Sequence, residues 1–364
     1  MVLLYIFAIV VLINCGFYFL FSVFLFSNSS TKEKSESFPV SLIICAKNEA
    51  KNLKTHIPFW LDQEYPDFEI ILINDASSDH SLEVMESFAK KHSCIKIVDV
   101  ENNEAFWGSK KYALTLGIKK AKHERMIFTD ADCKPASNKW LEEMTANFTK
   151  EKQLVLGFGG YQKKSGLLNK LIRFETLLTA IQYFSYAKAG IPYMGVGRNL
   201  GYTRKLFFDT NGFTSHIKIP SGDDDLFVNQ VATKKNTALC FSKDSFTKSI
   251  PKKTWKGWFL QKKRHLTTAK HYQFKHKFLL GLYASSQVLF WVLAIISIIF
   301  LDWKLPLILI GFRFIIHYLI IGSAAKKLEQ KDLILLLPFW ELFLLFIQMS
   351  IFISNTISKP TSWK

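Results

Sequence analysis

No two of the five cysteines, Cys15, Cys45, Cys94, Cys133 and Cys240, are spaced as CxxC. The chain therefore lacks both zinc-ligand spacing and a disulfide framework, and it suits a reducing compartment. No internal repeat is present, and no G-x-G-x-x-G loop opens the soluble part, which argues against a Rossmann phosphate loop. Arginine is scarce, at six of the 47 basic residues against 41 lysines. Charge of either sign is missing from Met1–Thr31, and acid is missing from Lys252–Lys277, a stretch with nine Lys or Arg.

What is present is apolar length. Hydrophobic residues make up 49% of the 364, high for a soluble enzyme, and they concentrate at the ends. "VLLYIFAIVVLINCGFYFLFSVFLF" is long enough to cross a bilayer core of about 30 Å. A cleaved signal peptide would have a basic start and an apolar core of only about 7–15 residues. Three further apolar stretches follow at Phe278–Leu301, Leu305–Gly322 and Leu333–Ile353. The second contains Arg313 and His317 and the third Pro338 and Glu341, so each of these is buried in a bundle, kinked or re-entrant. Three or four spans are expected. The net charge of +17 favours an anionic partner. The basic run lies directly before a span, which by the positive-inside rule places Asn28–Lys277 in the cytoplasm.

Between the apolar ends, short apolar runs alternate with helical patterns. "PVSLIICA", "FEIILIND", "CIKIVDV" and "RMIFTDAD" read as strands, and "NEAKNLKTHIPFWLDQ", "SLEVMESFAKKH" and "KKYALTLGIKKA" as the helices between them. Strict alternation predicts an α/β fold with a mostly parallel sheet covered on both faces. In such sheets ligands lie beyond the carboxyl ends of the strands. Strand one ends in "CAKNEA", strand two in "NDASSD" and strand four in "TDADC". Glu49, Asp75, Asp130 and Asp132 therefore converge on one rim. Any one of them alone reads as a helix cap or turn residue; together they predict a shared site. Asp130 and Asp132 lie on the same side of an extended chain, and their charges repel unless a cation or protons lie between them. A divalent metal is the simplest occupant.

"NDASSD", "TDADC", "GDDDL" and "QKKRH" occur in the order and approximate spacing of family-2 glycosyltransferases with a GT-A fold, the membrane-associated kind related to cellulose and hyaluronan synthases. Phe38–His265 resembles that family, and the resemblance implies roles. Asp75 would contact the uracil and Glu49 the ribose. Lys110 would balance phosphate charge; a solvated helix start is its plainer reading. Asp130 and Asp132 would hold a diphosphate through Mg2+ or Mn2+, with Asp132 the direct ligand. Of Asp223, Asp224 and Asp225, Asp224 aligns with the general base and Asp223 sits beside it; the plainer reading is a cap on the helix "LFVNQVAT". Gln261 and Arg264 match the Q/RxxRW motif that binds the donor diphosphate. His265 replaces the Trp at the acceptor entrance, a departure that weighs against polymer threading. "GVGRNLGYTR" looks like the segment shaping the acceptor side, with Gly197 and Asn199 there and Gly195 and Gly201 permitting close backbone approach. Upstream, Leu168, Leu171, Phe174, Leu178 and Ile181 mark one apolar helix face, turned to a core or a membrane surface.

These readings divide the chain into a transmembrane helix (1–27), a polar linker (28–37), a cytoplasmic GT-A domain (38–250), a basic juxtamembrane segment (251–279), a bundle of two or three transmembrane helices (280–355) and a tail (356–364). The expected activity is inverting transfer from a nucleotide-sugar, a UDP-sugar, to a lipid-linked or glycan acceptor at a bacterial inner membrane. Membrane lipids are expected partners, through an amphipathic helix whose lysines face anionic lipid. Nucleic acid is not, because an acidic rim repels a phosphate backbone. The alternatives are a metal-dependent nucleotidyltransferase and a non-enzymatic basic protein binding anionic lipid.

Overall fold

A computed structural model of the chain describes residues 1–26, 38–101, 110–219 and 221–357; the expected linker and the residues after 357 lie outside these. The chain divides into two compact units, one of residues 1–27, 164–189 and 253–359, the other of residues 28–163, 190–252 and 360–364. Helix α1, Val2–Leu25, opens the first, helical unit.

The second unit is α/β. Strand β1 (Val40–Ala46), helix α2 (Ala50–Leu61), β2 (Phe68–Asp75), α3 (Ser81–Ala89), β3 (Ile95–Val100), α4 (Lys110–Lys120) and β4 (Arg125–Asp130) alternate as their sequence periods dictate. All seven residues of β1 are buried, as a parallel strand covered on both faces requires, and its aliphatic run supplies the side chains to fill that space. Leu53, Ile57 and Trp60 recur at helical spacing on α2 and pack into the same core as Leu42, Ile44 and Leu72. There follow β5 (Cys133–Pro135), α5 (Trp140–Thr145), β6 (Leu154–Gly157) and β7 (Gly159–Tyr161).

Helix α6, Leu167–Lys188, returns to the helical unit. The α/β unit resumes with β8 (Leu200–Thr203), α7 (Arg204–Asp209), α8 (Asp225–Val231), β9 (Thr237–Cys240) and β10 (Thr247–Ser249). The main sheet has seven strands in the order β3-β2-β1-β4-β8-β6-β9. From β3 to β4 it is parallel, and β8 runs antiparallel to both β4 and β6. A second sheet, β5-β10-β7, has three short strands.

The helical unit is completed by α9 (Trp255–Ala269), α10 (Phe274–Phe300), α11 (Lys304–Lys327) and α12 (Leu337–Ile357). Among the described residues, four segments, Val2–Leu25, Phe274–Phe300, Lys304–Lys327 and Lys331–Ile357, are long and apolar enough to cross a membrane. Pro338 stands in the first turn of α12, which follows directly on a 3-10 turn over Lys331–Leu336. Helix α6 differs from the expected one-faced pattern: Leu171, Phe174 and Ile181 are buried, but so are Arg173, Thr176 and Ser185 on other sides.

The polar residues of the apolar helices meet one another. Arg313 is fully buried and its Nη2 donates to Glu341 Oε1 at 2.6 Å and Gln287 Oε1 at 2.7 Å. Asn14 Oδ1 accepts from Gln287 Nε2 at 2.9 Å and from Arg313 Nη2 at 3.2 Å. Glu341 also accepts from Trp291 Nε1 at 3.0 Å and from the Tyr18 hydroxyl at 3.3 Å. Each of α1, α10, α11 and α12 contributes, so the charges that looked anomalous in the second and third stretches cancel inside the unit. Removing one partner strands the other charge. We expect Glu341→Leu to destabilise the detergent-solubilised protein by about 3–5 kcal/mol in thermal unfolding, and Arg313→Leu added to it to recover most of the loss.

Candidate functional site

Register brings the acidic rim together. Cys45 of β1 pairs with Asp130 of β4, and Ala46 pairs with Asn74 of β2, so residues 46–49, Asp75 and Asp130 leave the sheet along one edge. Because β8 runs antiparallel, with Leu200 opposite Phe128, the segment Gly195–Asn199 enters at that same edge. Asp75 is buried at the end of β2. Glu49 sits half-buried at the start of α2; its N–H donates to Ser81 Oγ at 2.8 Å and its carboxylate accepts from Asn52 Nδ2 at 2.5 Å.

The centre of the site is an ammonium between two acids. Lys110 Nζ lies 3.0 Å from Asp130 Oδ1 and 2.9 Å from Asp223 Oδ2. It thereby joins the TDAD and GDDD motifs, and the plainer reading of a solvated helix start does not hold. Burial alone would lower its hold on the proton, but Asp130 and Asp223 more than offset this and keep it well above the ordinary lysine range. A cleft is lined by Lys110, Asp130, Gly197, Asp223 and Asp224, with Ile43, Cys45, Phe128 and Tyr202 among its apolar walls.

Asp224 occupies the N-cap of α8, as the plainer reading of the acid cluster anticipated. Its Oδ1 accepts from the Asp225 N–H at 2.8 Å and its Oδ2 from the Gly197 N–H at 2.7 Å. The approach of Gly197 is close: a Cβ there would lie 3.4 Å from Asp224 Oδ2. Each carboxylate oxygen keeps a second lone pair, so capping orients the group without consuming it. Burial, reinforced by the charges of Asp223 and Asp225, pushes Asp224 up to about 7. Asp223 goes the other way: burial would raise it, but the Lys110 charge and hydrogen bond pull it below the ordinary range. Neighbouring acids driven apart in this manner are the usual arrangement for distinct proton-transfer roles.

The Asp130–Asp132 pair also fits a cation. A carboxylate oxygen from each and the Cys133 Sγ lie within 4.8 Å of one another. Burial, and then the Asp130 charge, raise Asp132 above its usual value, the strain of two like charges that an ion relieves. Asp132 is fixed by the Ser249 hydroxyl, which donates to its Oδ2 at 2.8 Å. The buried Cys133 thiol is pushed well up by burial and by both acids. The two carboxylates are hard oxygen donors of the kind that Mg2+ or Mn2+ takes.

Asn199 departs from the expected acceptor side. It is fully buried, its Oδ1 accepts from Trp140 Nε1 at 3.0 Å, and its Nδ2 donates to the Phe158 and Ser245 carbonyls at 3.0 and 2.7 Å. It is a tie between loops, and it cannot also meet a ligand.

Sequence reasoning missed Lys111. Its buried ammonium donates to the carbonyls of His216, Ile219 and Ser221 at 2.7, 3.0 and 2.8 Å, clamping the loop that leads into Asp223. With 41 lysines in the chain, no local signal singles it out. Ser249 is likewise invisible, being remote in sequence from the acid it holds.

In the helical unit, α9 carries the QKKRH stretch. Gln261 and Arg264 are half-buried there and His265 is exposed. The expectation that the lysines of this helix face lipid is corrected at two of them. Lys262 pairs with Glu175 of α6 at 2.6 Å, and the buried Lys263 donates to the Ser354 carbonyl and hydroxyl at 3.2 and 3.1 Å.

A mixed seven-stranded sheet with paired acids at the carboxyl ends of its strands defines the GT-A class of glycosyltransferase fold. The structure is similar to that of a mannosyltransferase from Pyrobaculum calidifontis in complex with GDP-Man and Mn2+, with a TM-score of 0.60 over 93% of this chain and 99% of that one, at 15% sequence identity. Residues 41–209 match the family described as Glycosyl transferase family 2, and the chain carries a domain of that family. It is 35% identical over 153 residues, 41% of this chain, to a poly-beta-1,6-N-acetyl-D-glucosamine synthase of Staphylococcus epidermidis. It is 30% identical over 192 residues, 48% of this chain, to the Methanococcus voltae enzyme named dolichyl N-acetyl-alpha-D-glucosaminyl phosphate 3-beta-D-2,3-diacetamido-2,3-dideoxy-beta-D-glucuronosyltransferase. The matches span 36% and 58% of those two proteins.

Replacing Asn199 by Ala would take away its hydrogen bonds to the Trp140 N–H and the Ser245 carbonyl, each at about 1–3 kcal/mol, while the Phe158 carbonyl keeps the Thr247 N–H. We expect Asn199→Ala to lower the unfolding temperature far more than the rim substitution Asp132→Asn, as read by differential scanning fluorimetry.

Proposed function

We propose that the protein is an inverting glycosyltransferase that moves a sugar from a nucleotide-sugar, a UDP-sugar, to a lipid-linked or polysaccharide acceptor at the membrane. The observation that carries this reading is the Lys110 bridge, which places Asp130 and Asp223 in one cleft with Asp224. Asp75 is assigned the nucleobase and Glu49 the ribose, because a carboxylate accepts from an imide N–H or a hydroxyl. Asp132 and Asp130 are assigned a Mg2+ or Mn2+ ion, which when bound would draw the donor diphosphate to them and offset its charge.

Asp224 is assigned the base. An acceptor hydroxyl oxygen attacks the anomeric carbon from the face opposite the diphosphate, and Asp224 takes the proton. The bond from the anomeric carbon to the diphosphate oxygen breaks with its electron pair, and the configuration inverts. Lys110 supports the departing charge beside Asp130. On the likeness of QKKRH to its family motif, Gln261 and Arg264 are assigned the diphosphate and His265 the acceptor entrance.

The four long apolar helices and the basic run before α10 support an integral membrane protein whose α/β unit faces the cytoplasm of a bacterial cell. The names of the relatives, one a polysaccharide synthase and one acting on a dolichyl phosphate-linked sugar, support an acceptor at the membrane.

A panel of nucleotide-sugars incubated with membranes containing the protein should yield a nucleoside diphosphate; release of pyrophosphate instead would point to nucleotidyl transfer. Asp224→Asn should lower turnover by about 10²–10⁴-fold with donor binding retained, and chelation should abolish turnover. Turnover that survives both contradicts the reading. A base works only when unprotonated, and Asp224 stands at about 7. The rate should therefore climb as pH rises through neutrality and fall about tenfold per unit on the acid side.

A further inference from the structure

Arg198 has no part in the mechanism above, yet the fold builds a seat for it at the rim. Its carbonyl accepts from Thr129 Oγ1 and from Thr247 Oγ1, each at 2.9 Å. This pins the residue between β4, one position before Asp130, and β10, two positions before Ser249. Its side chain has room because position 159 is glycine: a Cβ there would lie 2.8 Å from Arg198 Cβ. The guanidinium carbon stands 4.2 Å from the centroid of the Tyr161 ring. The small sheet sets Tyr161 and Cys133 on either side of Ser249, and Ser249 holds Asp132. Arg198 and Asp132 are thus carried by one row of that sheet.

The charges of Asp130 and Asp132 act on the guanidinium, and its charge acts on Asp132. Among the described residues it nevertheless forms no ion pair, and its Nη1 is buried without a hydrogen-bond partner. A buried unsatisfied donor on an always-charged group needs a reason. A role as filler over Tyr161 gives none, since a neutral side chain would fill the space without the unpaired N–H. Arginine presents a planar fork of donors matched to phosphate oxygens.

We propose that Arg198 is a phosphate-binding residue, whose guanidinium over Tyr161 receives phosphoryl oxygens of the molecule held at Asp130 and Asp132. This rests on the donor-site reading above and adds to it a contact made within the α/β unit. The phosphate is either the diphosphate of the donor or a phosphate carried by a lipid-linked acceptor.

The test uses full-length protein in nanodiscs, wild type, Arg198→Gln and Arg198→Lys, titrated with Mn2+ alone, with UDP at saturating Mn2+, with uridine, and with a polyprenyl phosphate placed in the nanodisc. Removing a positive charge beside two acids should leave Mn2+ affinity equal or tighter in Arg198→Gln. UDP affinity should fall about ten- to hundredfold, uridine should be unaffected, and Arg198→Lys should lie between. Loss confined to the polyprenyl phosphate assigns the residue to the acceptor. Unchanged binding of both phosphate probes overturns the inference, as does a parallel loss of Mn2+ and UDP. A wild-type protein that binds Mn2+ but neither phosphate probe contradicts the donor site itself. Inorganic pyrophosphate then tests Arg198, with retained Mn2+ affinity and weakened pyrophosphate in Arg198→Gln expected, and no difference overturning it.

Discussion

One ammonium organises the α/β unit. Lys110 reaches Asp130 and Asp223 at 3.0 and 2.9 Å, joining the carboxyl end of a central strand to a loop that arrives from much later in the chain. In a cleft with apolar walls such a bridge is electrostatically strong and correspondingly costly to break. Its effect spreads to the neighbours. Asp223 is held ionised by the contact, and Asp224, next in sequence and turned to the Gly197 amide, meets that charge as a repulsion. Two adjacent aspartates thus acquire opposite tendencies, Lys110 prevailing at Asp223 and burial with the neighbouring acids at Asp224. Lys111 secures the same loop through three carbonyls, so consecutive residues of one helix set both the position and the charge of the acid cluster.

The helical unit solves a different electrostatic problem by the same means. An arginine and a glutamate among apolar helices are tolerable only when they face each other and every remaining donor and acceptor is used. Asn14, Gln287, Trp291 and Tyr18 provide those partners. The buried polar side chains of these apolar helices tie α1, α10, α11 and α12 to one another.

Much of this was legible in the residues. The aliphatic strands from Val40 to Asp130, the helices between them and the acids at their ends follow from periodicity and from the rule that ligands gather beyond parallel strands. Asp130 and Asp223 could be named because their motifs occur in a known order. What sequence could not supply was whatever depends on contacts between remote segments. Asn199 sits in a motif that suggested an acceptor contact, but burial beneath Trp140 spends its amide on the fold. Lys262 and Lys263 read as lipid-facing because their partners, Glu175 and Ser354, lie far away in the chain. Arg198 and Lys111 carry no pattern; only the three-dimensional neighbourhood shows that one clamps a loop and the other lies beside the paired acids.

The central claim is that carboxylates from separate motifs share one site for a cation and the diphosphate it accompanies. An experimental structure with Mn2+ and UDP, the ion located by its anomalous scattering, tests that most directly. Manganese bound at Asp130 and Asp132, with the diphosphate reaching it and Asp224 lining the same cleft, is the outcome the account requires. Manganese seated elsewhere, or Asp223 and Asp224 turned away from Lys110 into another surface, would contradict it.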